Sequence, residues 1–289
     1  MIPAEVLKRI REIEIHTRRA LSSSQVGGYS TAQKGSGFEF DQIREYQYGD
    51  DVRFIDWKSS ARTQKTLVKQ YLEDRNRTIM IGVDVSASMK FGSSELLKSE
   101  LAQQVAGVIA LVAQYGKDKV GLILFSDKVE AVIPPSRAPQ HVRRLMVELF
   151  TPRECSKDTD LNVFFNHPLI KNNRKELVFV LSDFITDGFE DSLSQVARHK
   201  ECIFVRCMDR REQELLPAGL LWMEDLETGE IALVDTRKRN VKKVSEFMTQ
   251  QVEAQRSACK KHRIDELLLR SDHDVVKPII QFFRKRLMY

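Results

Sequence analysis

The sequence predicts an α/β fold: a mostly parallel, Rossmann-type sheet flanked by helices, with a small β-rich extension on its amino-terminal side. Three observations predict it. Four apolar runs, at 79–83, 120–125, 177–181 and 202–206, have the unbroken hydrophobicity of strands buried on both faces. Helical periodicities separate them, and crossovers of that kind place successive strands parallel with helices on either side. The chain of 289 residues is long enough for one large α/β domain and a smaller appendage.

Three regions follow in order. Residues 1–35 combine a helix, with Val6, Ile10 and Ile13 on one face, and a Gly- and Ser-containing linker. Residues 36–76 are rich in aromatic and charged side chains. Alternation around 67–71 predicts a strand there, with Gly49-Asp50 and Thr63-Gln64 as turns. Residues 77–289 form the main domain. Its first strand, 79–83, precedes a helix marked by Leu97, Leu101, Val105, Val108 and Val112. The second, 120–125, is followed by a return run at 129–133 that would pair with it antiparallel. A helix at 141–150, a strand at 177–181, a helix at 189–199 and a strand at 202–206 continue the alternation. Two short strands, 220–223 and 231–234, flank a turn at 227–230. A helix over 239–262, a strand within 264–269 and a helix over 275–288 close the chain.

Composition narrows the class. Apolar residues make up 42% and charged residues 30%, ordinary values for a globular protein. The four cysteines, Cys155, Cys202, Cys207 and Cys259, form no CxxC pair, so neither a zinc site nor a disulfide framework is expected. Cys202 and Cys207 read as core residues. No run approaches the ~20 apolar residues of a membrane span, and the first residues lack the apolar core of a secretory signal. A cytoplasmic protein is expected. The net charge of +5 permits contact with nucleic acid without requiring it, and the basic run at 236–243 reads as a solvated helix start.

In an open parallel sheet, ligands bind beyond the carboxyl ends of the strands. Asp84, Ser86 and Ser88 follow the first strand and Ser182-Asp183 the third, while the polar loop 154–160 lies between them. Two carboxylates and several hydroxyls are thereby brought to one edge. Such hard oxygen donors suit Mg²⁺, or else Mn²⁺ or Ca²⁺, rather than zinc. Each residue also has a purely structural reading. Asp84 and Asp183 can cap the segments that follow them, and Thr159 can cap a helix beginning at Leu161.

Asp84, Ser86 and Ser88, with the later Thr159 and Asp183, resemble the metal-ion-dependent adhesion site of the von Willebrand factor A fold. The resemblance implies that Ser86, Ser88 and Thr159 are direct ligands and that the aspartates act mainly through bound water. Asp160 is the alternative to Thr159. A carboxylate from a client protein would complete the coordination. The preceding segment carries Arg44-x-Tyr46-x-x-Gly49-Asp50-x-x-Arg53-x-Ile55-Asp56-Trp57, then Arg62 and Val68-Lys69-x-Tyr71. This pattern is similar to the conserved-domain family of unknown function encoded beside MoxR-type AAA+ ATPases. Physically, the segment reads as an ion-paired β unit: Trp57 as a buried anchor, Gly49 as a turn, and Arg44, Arg53 and Arg62 pairing with Asp50, Asp51 or Asp56.

The function expected is therefore a metal-dependent protein-binding adaptor without catalytic activity, working with a MoxR-type ATPase in complex assembly or maturation. A metal-dependent hydrolase is the alternative, since aspartates and Mg²⁺ can activate water, but the three loops supply no histidine as a general base. Nucleic-acid binding ranks third, lacking an aromatic-basic stacking motif. The chain has no G-x-x-x-x-G-K loop for nucleotide phosphates.

Overall fold

The computed structural model describes residues 38–287, apart from 49, 74–76, 94–95, 153–155, 157, 173–174, 214–216, 225, 227–228, 238–251, 254–255, 257–258, 263 and 273–275. The expected amino-terminal helix and most of the helix expected over 239–262 lie outside the described residues.

The main sheet has six strands: β3 (Thr78–Asp84), β4 (Lys119–Phe125), β5 (Val129–Ser136), β6 (Leu177–Ser182), β7 (Glu201–Met208) and β10 (Asp265–Arg270). Across the sheet they run β10-β7-β6-β3-β4-β5. All neighbours are parallel except β4 and β5, which pair antiparallel. Read from β5, this is the doubly wound order 3-2-1-4-5-6. The order reverses between β3 and β6, which leaves a crevice where their carboxyl ends meet.

The unbroken apolar runs are explained by two cores, one on each face. Ile79, Ile81 and Val83, with Leu122, Leu124, Phe179, Leu181, Ile203 and Val205, face one side. There they pack against α2 (Lys98–Tyr115), α3 (His141–Phe150) and α8 (Val276–Leu287). Met80, Ile123, Phe125, Val178, Val180 and Phe204 face the other side. They meet α4 (Leu161–Phe165), α5 (Pro168–Lys171) and α6 (Glu190–Ala197). Strand periodicity of two thus divides each run between the cores. Gly82 belongs to the second face. A Cβ there would lie 2.4 Å from Cε2 of Phe164, so the ring of α4 sits where a side chain would stand.

A helix does begin at Leu161, and α4 and α5 are each only about one turn long. Asp160 accepts from Asn162 N (2.9 Å) and is therefore the α4 cap, not Thr159. His141 is buried, with Nε2 2.7 Å from the Val120 carbonyl oxygen, and acts in packing.

Two small sheets stand outside the main one. Strands β1 (Phe38–Glu45) and β2 (Leu67–Glu73) pair antiparallel, with an irregularity between Phe40 and Gln42. Between them lie a 3-10 turn (Val52–Phe54) capped by Asp51, and α1 (Trp57–Thr63) capped by Asp56. Gln64 ends α1 in the left-handed region, at φ 54°. The ion pairs expected here form in part. Arg44 makes two 2.7 Å bonds to Asp50, and Arg53 binds Asp51. Arg62 makes neither; Asp56 instead caps α1 and faces Lys69 at 3.7 Å. Trp57 corrects the expectation of a buried anchor, being 70% exposed. It opens a two-turn helix beside a two-stranded sheet, and such a unit has little interior to offer a ring. Gly49 lies outside the described residues. The second small sheet is the hairpin β8 (Leu220–Glu224) and β9 (Ile231–Asp235).

Candidate metal centre at the carboxyl end of the sheet

β3 ends at Asp84, and the segments beyond its neighbours close around it. Val85 N donates to the Phe125 carbonyl (2.9 Å) at the end of β4. Asp160 N donates to the Ser126 carbonyl (3.1 Å), which draws the 158–160 segment to the same strand. From the other side, Thr186 Oγ1 donates to the Thr159 carbonyl (3.3 Å), tying that segment to the stretch after β6. Because β3 lies between β4 and β6, Thr159 bridges the strand end that carries Asp84.

Asp84 is fully buried. Its Oδ1 accepts from Ser86 N (2.9 Å), a turn bond within the loop and not the helix cap it could have been. Its Oδ2 accepts from Ser182 Oγ (2.7 Å). Burial, and then the nearby Asp183 charge, push the Asp84 carboxyl up to about 6. The hydroxyls of Ser86 and Ser88 lie 3.2 Å apart. Asp183 follows β6 and accepts from Ile185 N (3.1 Å). Phe184 then turns the chain at φ 57°, a sparse region for a side chain of its size, and its buried ring stacks on Phe204 at 4.4 Å.

The Thr159 hydroxyl is the telling atom. It is buried and, among the described residues, has no hydrogen-bond partner. A hydroxyl left in that state costs about 1–3 kcal/mol, so its place needs a reason. Asp84, Ser86, Ser88 and Asp183 thus follow the carboxyl ends of β3 and β6, and hydrogen bonds tie the Thr159 segment to the stretches after β4 and β6. Their chemistry fits a hard divalent ion: neutral hydroxyls of Ser86, Ser88 and Thr159 as direct donors, and two carboxylates already oriented by N–H and O–H groups. Among the described residues, no cluster of three or more His, Cys, Asp or Glu is placed to hold a metal.

Two features were not anticipated. Ser182 orients Asp84 through its hydroxyl. Lys98, the first residue of α2, reaches into the site with 1% exposure and places Nζ 2.7 Å from Asp183 Oδ2 and 2.5 Å from Glu212 Oε1. Burial opposes its charge, but Asp183 and Glu212 more than offset that and hold the amine above its ordinary value. A signal for it existed, since Lys98 extends the stripe of Leu101, Val105, Val108 and Val112 by one turn.

Fold and site together define an α/β domain of doubly wound order with a hydroxyl and carboxylate centre at its switch point. Within that class the chain belongs to the family described as protein of unknown function DUF58, whose model matches residues 42–257. It is 27% identical over 223 residues to uncharacterized proteins of Mycobacterium tuberculosis and Mycobacterium bovis, covering 76% of this chain and 70% of theirs. Among solved structures it is similar to the conserved hypothetical protein BatB from Bacteroides thetaiotaomicron, at 16% identity and a TM-score of 0.46. That likeness covers 74% of this chain and 100% of that one. It is also similar to the SpRpn10 VWA domain, at 11% identity and a TM-score of 0.37, over 71% and 94% of the two chains. The fold assignment rests on the strand order above and not on these likenesses.

Proposed function

We propose that the protein is a metal-dependent protein-binding module: Asp84, Ser86, Ser88, Thr159 and Asp183 hold one divalent ion, most suitably Mg²⁺, and the ion grips a carboxylate of a client. The observation that carries this reading is the Thr159 hydroxyl, buried with no hydrogen-bond partner among the described residues in a segment tied to the stretches after β4 and β6. A bound ion would supply a Lewis-acidic position for an incoming acid side chain. The protein's own contribution is orientation: Ser86 N and Ser182 Oγ hold Asp84, and Ile185 N holds Asp183.

Protein binding, as opposed to hydrolysis, is favoured by Lys98. Two carboxylates keep it protonated, so it is unsuited to act as a general base near neutral pH. The β8–β9 hairpin adds a surface of the kind protein partners cover, with Leu220, Trp222, Ile231 and Leu233 all at least half exposed. The pattern from Arg44 to Arg62 resembles proteins encoded beside MoxR-type ATPases, and such an ATPase is the partner we propose, with a cytoplasmic setting.

Thr159→Val tests the reading with little risk to the fold, because it removes a hydroxyl that bonds nothing and keeps the shape. Calorimetric titration of Mg²⁺ and Mn²⁺ into chelator-stripped protein should show saturable binding that weakens by at least about tenfold in the variant, the scale of one lost ligand or close hydrogen bond. Capture of a MoxR-type ATPase or client should weaken with it and vanish in Asp84→Ala. Unchanged binding and capture by folded variants would sink the proposal.

A further inference from the structure

Lys98 is an expensive residue for its place. An amine buried to 1% exposure loses its hydration. It also stands in the first turn of an 18-residue helix, where the helix dipole repels a positive charge. The periodicity of α2 would accept an apolar side chain there, and the Phe91 ring lies 5.9 Å from the ammonium.

Its two carboxylate partners differ in kind. Asp183 belongs to the candidate metal centre, and both its oxygens are engaged, Oδ1 by Ile185 N and Oδ2 by Lys98. Glu212 stands outside that centre, on α7 (Arg210–Gln213), and its Oε2 accepts from Asp209 N (3.1 Å). Asp209 is itself held by Ser93 N (2.9 Å), Ser271 Oγ (3.1 Å) and Arg211 N (2.8 Å). Glu212 is therefore a fixed acceptor, reached by the same ammonium from the same helix position.

We propose that Lys98 is a positioning residue that competes with the divalent ion for Asp183. In the ion-free protein it neutralises that carboxylate and holds it in place. When an ion binds, Glu212 is the seat that retains the ammonium. The chain thus carries its own cation at the centre, which keeps the site folded without metal and lowers its affinity for one. This inference rests on the metal-site reading above and adds a regulator to it.

The two partners of Lys98 give variants whose effects run in opposite directions. Lys98→Met frees Asp183 for the ion, so Mg²⁺ and Mn²⁺ should bind about tenfold more tightly, with the loss of one cation near the carboxylates. Its ion-free melting temperature should fall and recover when either ion is added. Glu212→Gln leaves Lys98 with Asp183 as its sole anionic seat, so the same ions should bind several-fold more weakly, for the same electrostatic reason. A purely structural ion cluster would weaken binding in both. Calorimetry on the full chain, parent beside variants, reads all of this. Parental binding with Lys98→Met no tighter, or with both variants shifted the same way, overturns this inference alone. No ion binding in the parent or either variant overturns the metal-site reading along with it.

Discussion

Asp84 shows what a single carboxylate does when three strand ends exclude water from it. Its folded value of about 6 lies above the ordinary 3.8 because burial penalises the ionised form and Asp183 adds like charge. A raised folded pKa means that the unfolded chain releases a proton which the folded chain keeps. Ion-free stability is then full below about pH 4 and is lost as pH rises through about 6, by on the order of 3 kcal/mol. A cation bound at the proposed site would remove that loss by favouring the ionised form. The melting temperature in chelator should therefore fall between about pH 4 and 6.5 relative to Asp84→Asn, and the rise produced by Mg²⁺ should develop over the same window. Identical pH profiles for the parent and Asp84→Asn would show that Asp84 does not carry this linkage.

At the scale of elements, the contact between β3 and α4 is the tightest point under the site. Gly82 leaves room for Phe164, whose ring lies tilted beside Phe125, centroids 5.3 Å apart, and meets Phe165 edge-on at 5.4 Å. This ring positions the short helix whose cap, Asp160, follows Thr159 directly. Gly82→Ala should cost about 1–3 kcal/mol by overpacking, measured by chemical denaturation. Adding Phe164→Leu should recover part of it, since the new methyl would then meet a smaller side chain. A Gly82→Ala protein as stable as the parent would mean that α4 shifts freely, and with it the placement of Thr159.

The whole molecule is uneven in how it uses apolar surface. The main sheet buries both faces, whereas the β8–β9 hairpin leaves both largely open. Trp222 and Leu233 face each other across one side at 73% and 50% exposure, and Leu221 pairs with Val234 on the other. Side chains so exposed contribute little to folding. Trp222→Ser should change unfolding stability by less than about 0.5 kcal/mol while weakening capture of a protein partner, a split read by denaturation beside a pull-down. A large stability loss would place the ring in the protein's own core. Among the described residues, no helix is long and apolar enough to cross a membrane.

The positions of the main-sheet strands, their parallel run and the antiparallel return of β5 on β4 were legible from sequence, because they follow from local periodicity and from the helices between buried runs; the order of the strands across the sheet was not. The short helix α1 was not, since a helix of two turns shows no clear repeat. Trp57 was misjudged because burial depends on what packs opposite, which no local pattern records. The same holds for Lys98, whose place on an apolar stripe was visible but whose carboxylate partners stand 85 and 114 residues further along. Residue chemistry and spacing by themselves determined that this chain builds a mostly parallel sheet with oxygen donors at one edge. Only the tertiary structure decided that the hydroxyl of one of those donors, Thr159, is buried with no partner among the described residues and that a lysine already sits beside Asp183. Both depend on which distant groups exclude water from the same point, and folding alone brings them together.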